Sequence, residues 1–169
     1  MKIIFYGGKQ AGMIALLTLL ALGKEIVCVI PVDEIVEKIA RKFRLNVKKV
    51  KDINNEEFVN YLHSLKPNLF ICCHGRQILK KEILSIGCLN LHPCLYKYKG
   101  KEPIKRLLAD KEKKASVGVH WMTENVDEGP VVVEKFLEIK GKTEIEVYNE
   151  LYPVYSEVLI EVLEKIKNQ

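Results

Sequence analysis

The sequence predicts an α/β fold, a doubly wound and mostly parallel sheet with an antiparallel edge and a long C-terminal helix. Three observations carry this. Short apolar runs alternate with helix-period segments through the first half, two strand-like runs follow each other closely in the second, and the chain closes on a long amphipathic stretch. "KIIFY", "GGKQAG" and "MIALLTLLALG" read as strand, glycine turn and helix, with Gly23 as the helix stop. "EIVCVI" is a second strand. "DEIVEKIARKFRL" places Ile35, Ile39 and Phe43 at helical spacing, and "NNEEFVNYLHSLK" repeats the pattern behind an Asn cap, with "VKKV" between them as a short strand. "NLFICC" is apolar throughout, as in a strand covered on both faces. "GCLNLH" and a helix around "PIKRLLAD" follow, then "ASVGVHWM" and "PVVVEKFLEI" flank "TENVDEG" as an antiparallel pair. In the closing segment Pro153 should kink or restart the helix. The apolar Val158 and Leu159 there serve either a homo-oligomer contact or cover for the sheet.

A chain of 169 residues forms one domain, 1–169, since ~100–200 residues bury a single core. Hydrophobic residues at 48% and charged residues at 29% exclude a disordered chain, and no apolar run reaches the roughly 18 residues of a membrane span. The start "MKIIFYGG" reads as a strand and not as a secretory leader, so a cytoplasmic protein without membrane association is expected. Five cysteines without a Cys-x-x-Cys pair argue for buried reduced thiols, not a disulfide framework or a zinc site, and no metal is expected. The net charge of +5 is spread along the chain and lacks the stripe with aromatic interleaving of a nucleic-acid binder; it suits a small anionic ligand.

Ligands of open parallel sheets bind beyond the carboxyl ends of the strands. That rule selects His74, Gly75 and Arg76 after "NLFICC", Asn90 and His92 at the end of "GCLNLH", and Asp127 in the loop after "SVGVHWM". If those strands run parallel, the three clusters meet at one sheet edge. A lone His92 is commonly a packed residue, Asn90 can cap a turn, and Asp127 sits in a turn-forming "DEGP". An amide donor, an imidazole and a carboxylate together, however, suit acyl transfer. His120, on a strand, can face either core or site. "GGKQAG" matches neither Gly-x-Gly-x-x-Gly nor a Walker motif, so it is a tight turn or a set of amides facing an anion.

With "GRQIL", "NLHP" and "VGVHWMTENVDEGPVVVEKFLEI", the chain resembles the folate-dependent formyltransferases over nearly its whole length. The resemblance implies a Rossmann-like core, a one-carbon transferase and 10-formyltetrahydrofolate as formyl donor. It implies catalytic roles for Asn90, His92 and Asp127, the first two as donors to the formyl oxygen and Asp127 as partner of His92 and proton relay. It also implies folate contacts from Arg76, Gln77, Ile78 and Leu79, largely through backbone groups, and from Asn125, Val126 and Glu128. "SVGVHWMTENVDEGPVVV" and "YNELYP" look most like the glycinamide ribonucleotide transformylases.

The departures concern the amine acceptor. "GGKQAG" stands where those transformylases hold their substrate phosphate on a different loop, and "HPCLYKYKG" is one residue shorter than the family's loop, with Lys99 for arginine. A phosphorylated small amine would be held by Gly7, Gly8, Lys9, Lys97 and Lys99, with His120 nearby. A nucleotide-linked amino sugar would instead use Tyr96 and Tyr98. The alternatives are a hydrolase or a non-catalytic folate-binding subunit. No segment matches the carboxyl-terminal module of methionyl-tRNA formyltransferases, so a tRNA acceptor is not expected.

Overall fold

The structure is a computed structural model describing residues 1–167. Six strands, β1 (Lys2–Gly7), β2 (Glu25–Pro31), β3 (Leu69–Cys73), β4 (Cys88–Pro93), β5 (Lys114–Trp121) and β6 (Val131–Glu138), form one sheet in the order β2-β1-β3-β4-β5-β6. The first four are parallel; β5 runs antiparallel to β4 and β6 antiparallel to β5. The order reverses between β1 and β3, which opens a crevice beyond their carboxyl ends.

Helices α1 (Lys9–Ala21), α2 (Glu34–Lys42), α3 (Glu56–Ser64), α4 (Lys81–Leu84), α5 (Pro103–Ala109) and α6 (Glu144–Lys167) cover the two faces. Alternation along the strands divides the core. Ile3, Phe5, Ile71, Leu89, Leu91, Val117 and Val119 pack with α1, α2, α5 and α6, while Ile4, Tyr6, Phe70, Cys72 and Cys88 pack with α3 and α4. All five cysteines are buried and free. Asp33 caps α2 through the N–H groups of Ile35 and Val36, and Asn55 caps α3 through that of Phe58. Gly23 ends α1 in the left-handed region at φ +65°, which a side chain disfavours.

Several sequence expectations change. Val47 forms an isolated parallel bridge to Val29 where a short strand was expected, because only Val29 exchanges backbone bonds with Asn46 and Lys48. On α2 the buried residues are Val36 and Ala40, and Ile35 and Phe43 are exposed. Pro153 does not interrupt α6. It lies on the exposed side, so the Asn149 carbonyl it leaves without a helical donor faces water. Val158 and Leu159 are fully buried and cover the sheet. No helix among the described residues is long and apolar enough to cross a membrane.

Candidate functional site

Asn90 and His92 follow Cys88 on one face of β4, where Leu89 and Leu91 point into the opposite core. Cover by α3 and α4 ends near Cys88, so the next two side chains on that face are free to line a cavity of about 460 Å³. Cys72 pairs with Asn90 and Cys73 with Leu91, which brings His74 level with His92 at the ends of β3 and β4.

β5 reaches the site by a different route from the parallel convergence expected. Because it is antiparallel, His120 lies opposite Asn90 on the same face, and the loop after Trp121 starts at the far end of β4 and folds back over it. That loop is pinned where the Trp121 N–H bonds the Pro130 carbonyl at 2.9 Å and Met122 N–H bonds Cys88 at 2.7 Å. A Cβ on Gly129 would lie 1.7 Å from the Trp121 carbonyl oxygen, so only glycine permits this return. Asp127 sits at its tip with φ +54°, a left-handed conformation that aspartate tolerates better than most residues.

The Asp127 carboxylate gathers the site. One oxygen, Oδ1, accepts from Asn90 Nδ2 at 3.1 Å and lies 3.3 Å from His120 Nε2. The other, Oδ2, accepts the Gly100 N–H at 2.7 Å and lies 3.0 Å from His92 Nε2. Burial would raise its pKa, but hydrogen bonds with His120 and His92, the charge of His92 and the Gly100 amide together hold the carboxyl far below the usual range. Asp127 is therefore an anion at any physiological pH. His92 Nδ1 lies 2.8 Å from the Pro93 carbonyl, and Nε2 is shared between Asp127 and the Gly100 carbonyl at 3.1 Å. Both nitrogens face acceptors, and only the doubly protonated ring donates from both. His120 Nδ1 faces the Trp121 carbonyl at 2.9 Å, and its Nε2 lies 3.3 Å from Asn90 Nδ2.

The other wall is the segment after β3. Tyr6 Oη accepts the Arg76 and Gln77 N–H groups at 2.9 and 3.0 Å, which fixes this turn onto β1. Those two amides are thus already engaged, leaving their carbonyls and the Ile78 and Leu79 N–H groups for a ligand. The Gln77 side chain turns away, accepting from Ile53 and donating to Lys51. Asn54 braces the far end through the Ile78 carbonyl and the Lys80 N–H. Ile78 is exposed and Leu79 buried, and both line the cavity.

Of the remaining expected contacts, Lys9, His120, Asn125 and Val126 line the cavity. Gly7, Gly8, Tyr96, Lys97, Lys99 and Glu128 lie outside its lining. Gly7 ends β1 under Phe5, and the Gly8 N–H is held by the Cys73 carbonyl. Tyr96 packs on Phe136 and donates to the Lys114 carbonyl, Lys97 pairs with Glu112 and Asp110, and Tyr98 is buried and donates to Asp110. Tyr96 thus faces β5 and β6, and Lys97 and Tyr98 face the turn after α5; Lys99 and Glu128 are exposed outside the cavity.

Sequence reasoning passed over Tyr6, Gly100, Gly129 and Tyr148. Nothing in the strand pattern marks Tyr6 as a backbone acceptor, and the "DEGP" glycine reads as an ordinary turn residue. His74 was singled out only by position. It holds φ +58°, packs against Tyr148 and Tyr155, and has Nε2 3.1 Å from Tyr155 Oη. Burial, then the charges of Lys9 and His92, bring its pKa down to about 4, so it is neutral at pH 7. Burial likewise pushes the Cys72 thiol up to about 12. Among the described residues no cluster of His, Cys, Asp and Glu suits a metal ion.

Comparison with known proteins places this geometry. Methionyl-tRNA formyltransferase of Thermotoga neapolitana is 33% identical over 138 residues, covering 79% of this chain and 44% of that protein. The chain therefore spans less than half the length of that relative. In fold it is similar to glycinamide ribonucleotide transformylase 1 of Symbiobacterium toebii, with a TM-score of 0.83 at 19% identity over 95% of this chain and 84% of that one. It is also similar to phosphoribosylglycinamide formyltransferase of Campylobacter jejuni, with a TM-score of 0.77 at 24% identity over 98% and 97% of the two chains. Residues 23–163 match the formyl transferase family, and with the relative above this shows that the chain belongs to that family.

Proposed function

We propose that this chain transfers the formyl group of 10-formyltetrahydrofolate to the primary amine of a small acceptor. The observation that carries the reading is the Asp127 carboxylate, which holds Asn90, His92 and His120 around one point of the cavity. The folate lies along the 76–79 turn and under the 122–127 loop, with the formyl group at Asn90. The amine nitrogen attacks the formyl carbon, and negative charge builds on the formyl oxygen. Asn90 Nδ2 carries two hydrogens, of which Asp127 takes one, and the other, beside His120 Nε2, turns to that oxygen when the ligand binds. His92 Nε2–H reaches it by exchanging the Gly100 carbonyl for the ligand. The bond from the formyl carbon to the folate nitrogen then breaks, that nitrogen gains a proton, and the amine loses one. Water carries this proton from one nitrogen to the other, with the ionised Asp127 as its hydrogen-bond acceptor.

A second reading, transfer to methionyl-tRNA, is favoured by the activity named for the Thermotoga relative. Incubating the chain with 10-formyltetrahydrofolate and either small primary amines or methionyl-tRNA separates the two. The expected result is a formylated small amine and released tetrahydrofolate, reduced 100-fold or more by Asn90→Ala, since one preorganised donor contributes ~10²–10³ in rate. Folate release with water alone marks a hydrolase, and release with neither amine nor water contradicts the proposal.

A further inference from the structure

The start of α1 opens towards the cavity, and Lys9 lines it. The beginning of a helix ordinarily attracts an anion through its unpaired N–H groups and dipole. Here an anion is already present, and it belongs to the protein. Asp33 Oδ2 accepts the Lys9 N–H, while Oδ1 accepts from Ile35 at 3.1 Å and Val36 at 3.3 Å. The same Oδ2 lies 2.8 Å from where a Gly8 Cβ would stand, so the missing side chain is what admits the carboxylate. Val32 N–H bonds the Gly7 carbonyl at 2.8 Å and draws this corner onto the turn. Lys9 itself adopts φ +58°, a conformation held by its N–H bond to Asp33. Gly8 N–H is spent on Cys73 at 3.1 Å, and Lys97 and Lys99 lie outside the cavity.

We propose that Asp33 is a specificity residue: by seating its carboxylate on the start of α1 it excludes a phosphomonoester there, so the acceptor is an amine without a phosphate at that end. A phosphate approaching the start of α1 meets the Asp33 carboxylate, already seated on the Lys9 N–H, as a like charge. Specificity here comes from a built-in repulsion against the wrong acceptor. What the acceptor meets in its place is the Lys9 ammonium, the neutral His74 ring, the Glu144 carboxylate and the half-buried face of Tyr148, all on the cavity wall. This inference rests on the amine-acceptor reading above.

The test titrates inorganic phosphate into the native chain and into Asp33→Asn. Asparagine keeps an oxygen to cap α2 and removes the charge, and melting curves confirm that the variant folds. Phosphate should bind Asp33→Asn at least tenfold tighter than the native chain; an equal affinity, or none gained by the variant, overturns the proposal. In parallel, amines with and without a phosphomonoester compete for formyl transfer by the native chain. The unphosphorylated partner should react at least tenfold faster, and a preference for the phosphorylated one overturns the proposal. Absence of transfer to every amine counts against formyl transfer itself, and the phosphate titration still decides the role of Asp33.

Discussion

Asp127 and His74 show how the same cavity shifts two side chains towards opposite charge states. Asp127 exchanges water for four polar partners and stays ionised, whereas His74 exchanges it for the Tyr148 and Tyr155 rings and Lys9, and stays neutral. The His74 shift has a measurable sign. Below the ordinary histidine value of ~6.5 the unfolded chain takes a proton that the native chain refuses until about pH 4, so stability is full above 6.5 and falls on acidification between the two. Given its half-buried position, the loss is of order 2 kcal/mol. Urea unfolding at pH 7 and pH 4.5 should show it for the native chain and show less for His74→Asn; equal pH slopes would contradict the assignment. Asn90 and His92 were legible in the sequence because alternation puts both on one face of a strand end. The surroundings of Tyr96 and Lys97 were not, because Tyr96 packs on Phe136 of β6 and Lys97 pairs with Asp110 and Glu112 after α5, and local composition carries no record of these distant partners.

Among the elements, the 122–130 loop and α6 decide most. The loop can deliver Asp127 only because Gly129 lets the backbone pass the Trp121 carbonyl. Gly129→Ala forces one side to yield. The expected cost is about 2 kcal/mol or more by thermal unfolding, together with at least a tenfold loss of formyl transfer as Asp127 shifts. Unchanged melting and unchanged transfer would show that the contact does not constrain the loop. On α6 the sequence favoured a break at Pro153, since proline removes a helical hydrogen bond. The buried face of Val147, Leu151, Val154, Tyr155, Val158 and Leu159 runs through the proline and holds the helix against the sheet despite that loss. Pro153→Ala restores a donor to the Asn149 carbonyl and should raise stability by about 1–3 kcal/mol in denaturant titration. A drop would mean that the proline shapes the helix. Tertiary burial, not local propensity, sets this element.

Across the whole molecule, the mostly parallel sheet with its antiparallel edge was readable because each parallel crossover needs its own helix, and the sequence spaces strands and helices accordingly. The direction of β5 mattered more than periodicity could say. Its antiparallel run places His120 opposite Asn90 and makes the following loop return over the site, so Asn90, His92 and His120 meet at the Asp127 carboxylate. The crevice where the strand order reverses supplies the opposite wall through Lys9 and His74. On this account the folate seat and the reacting centre are separable parts of one cavity. The most direct measurement compares Asp127→Ala with the native chain for both formyl transfer from 10-formyltetrahydrofolate and binding of folinic acid. The account predicts that transfer falls by at least 100-fold while folinic acid binds within about fivefold of native affinity. Transfer that survives the substitution would contradict it.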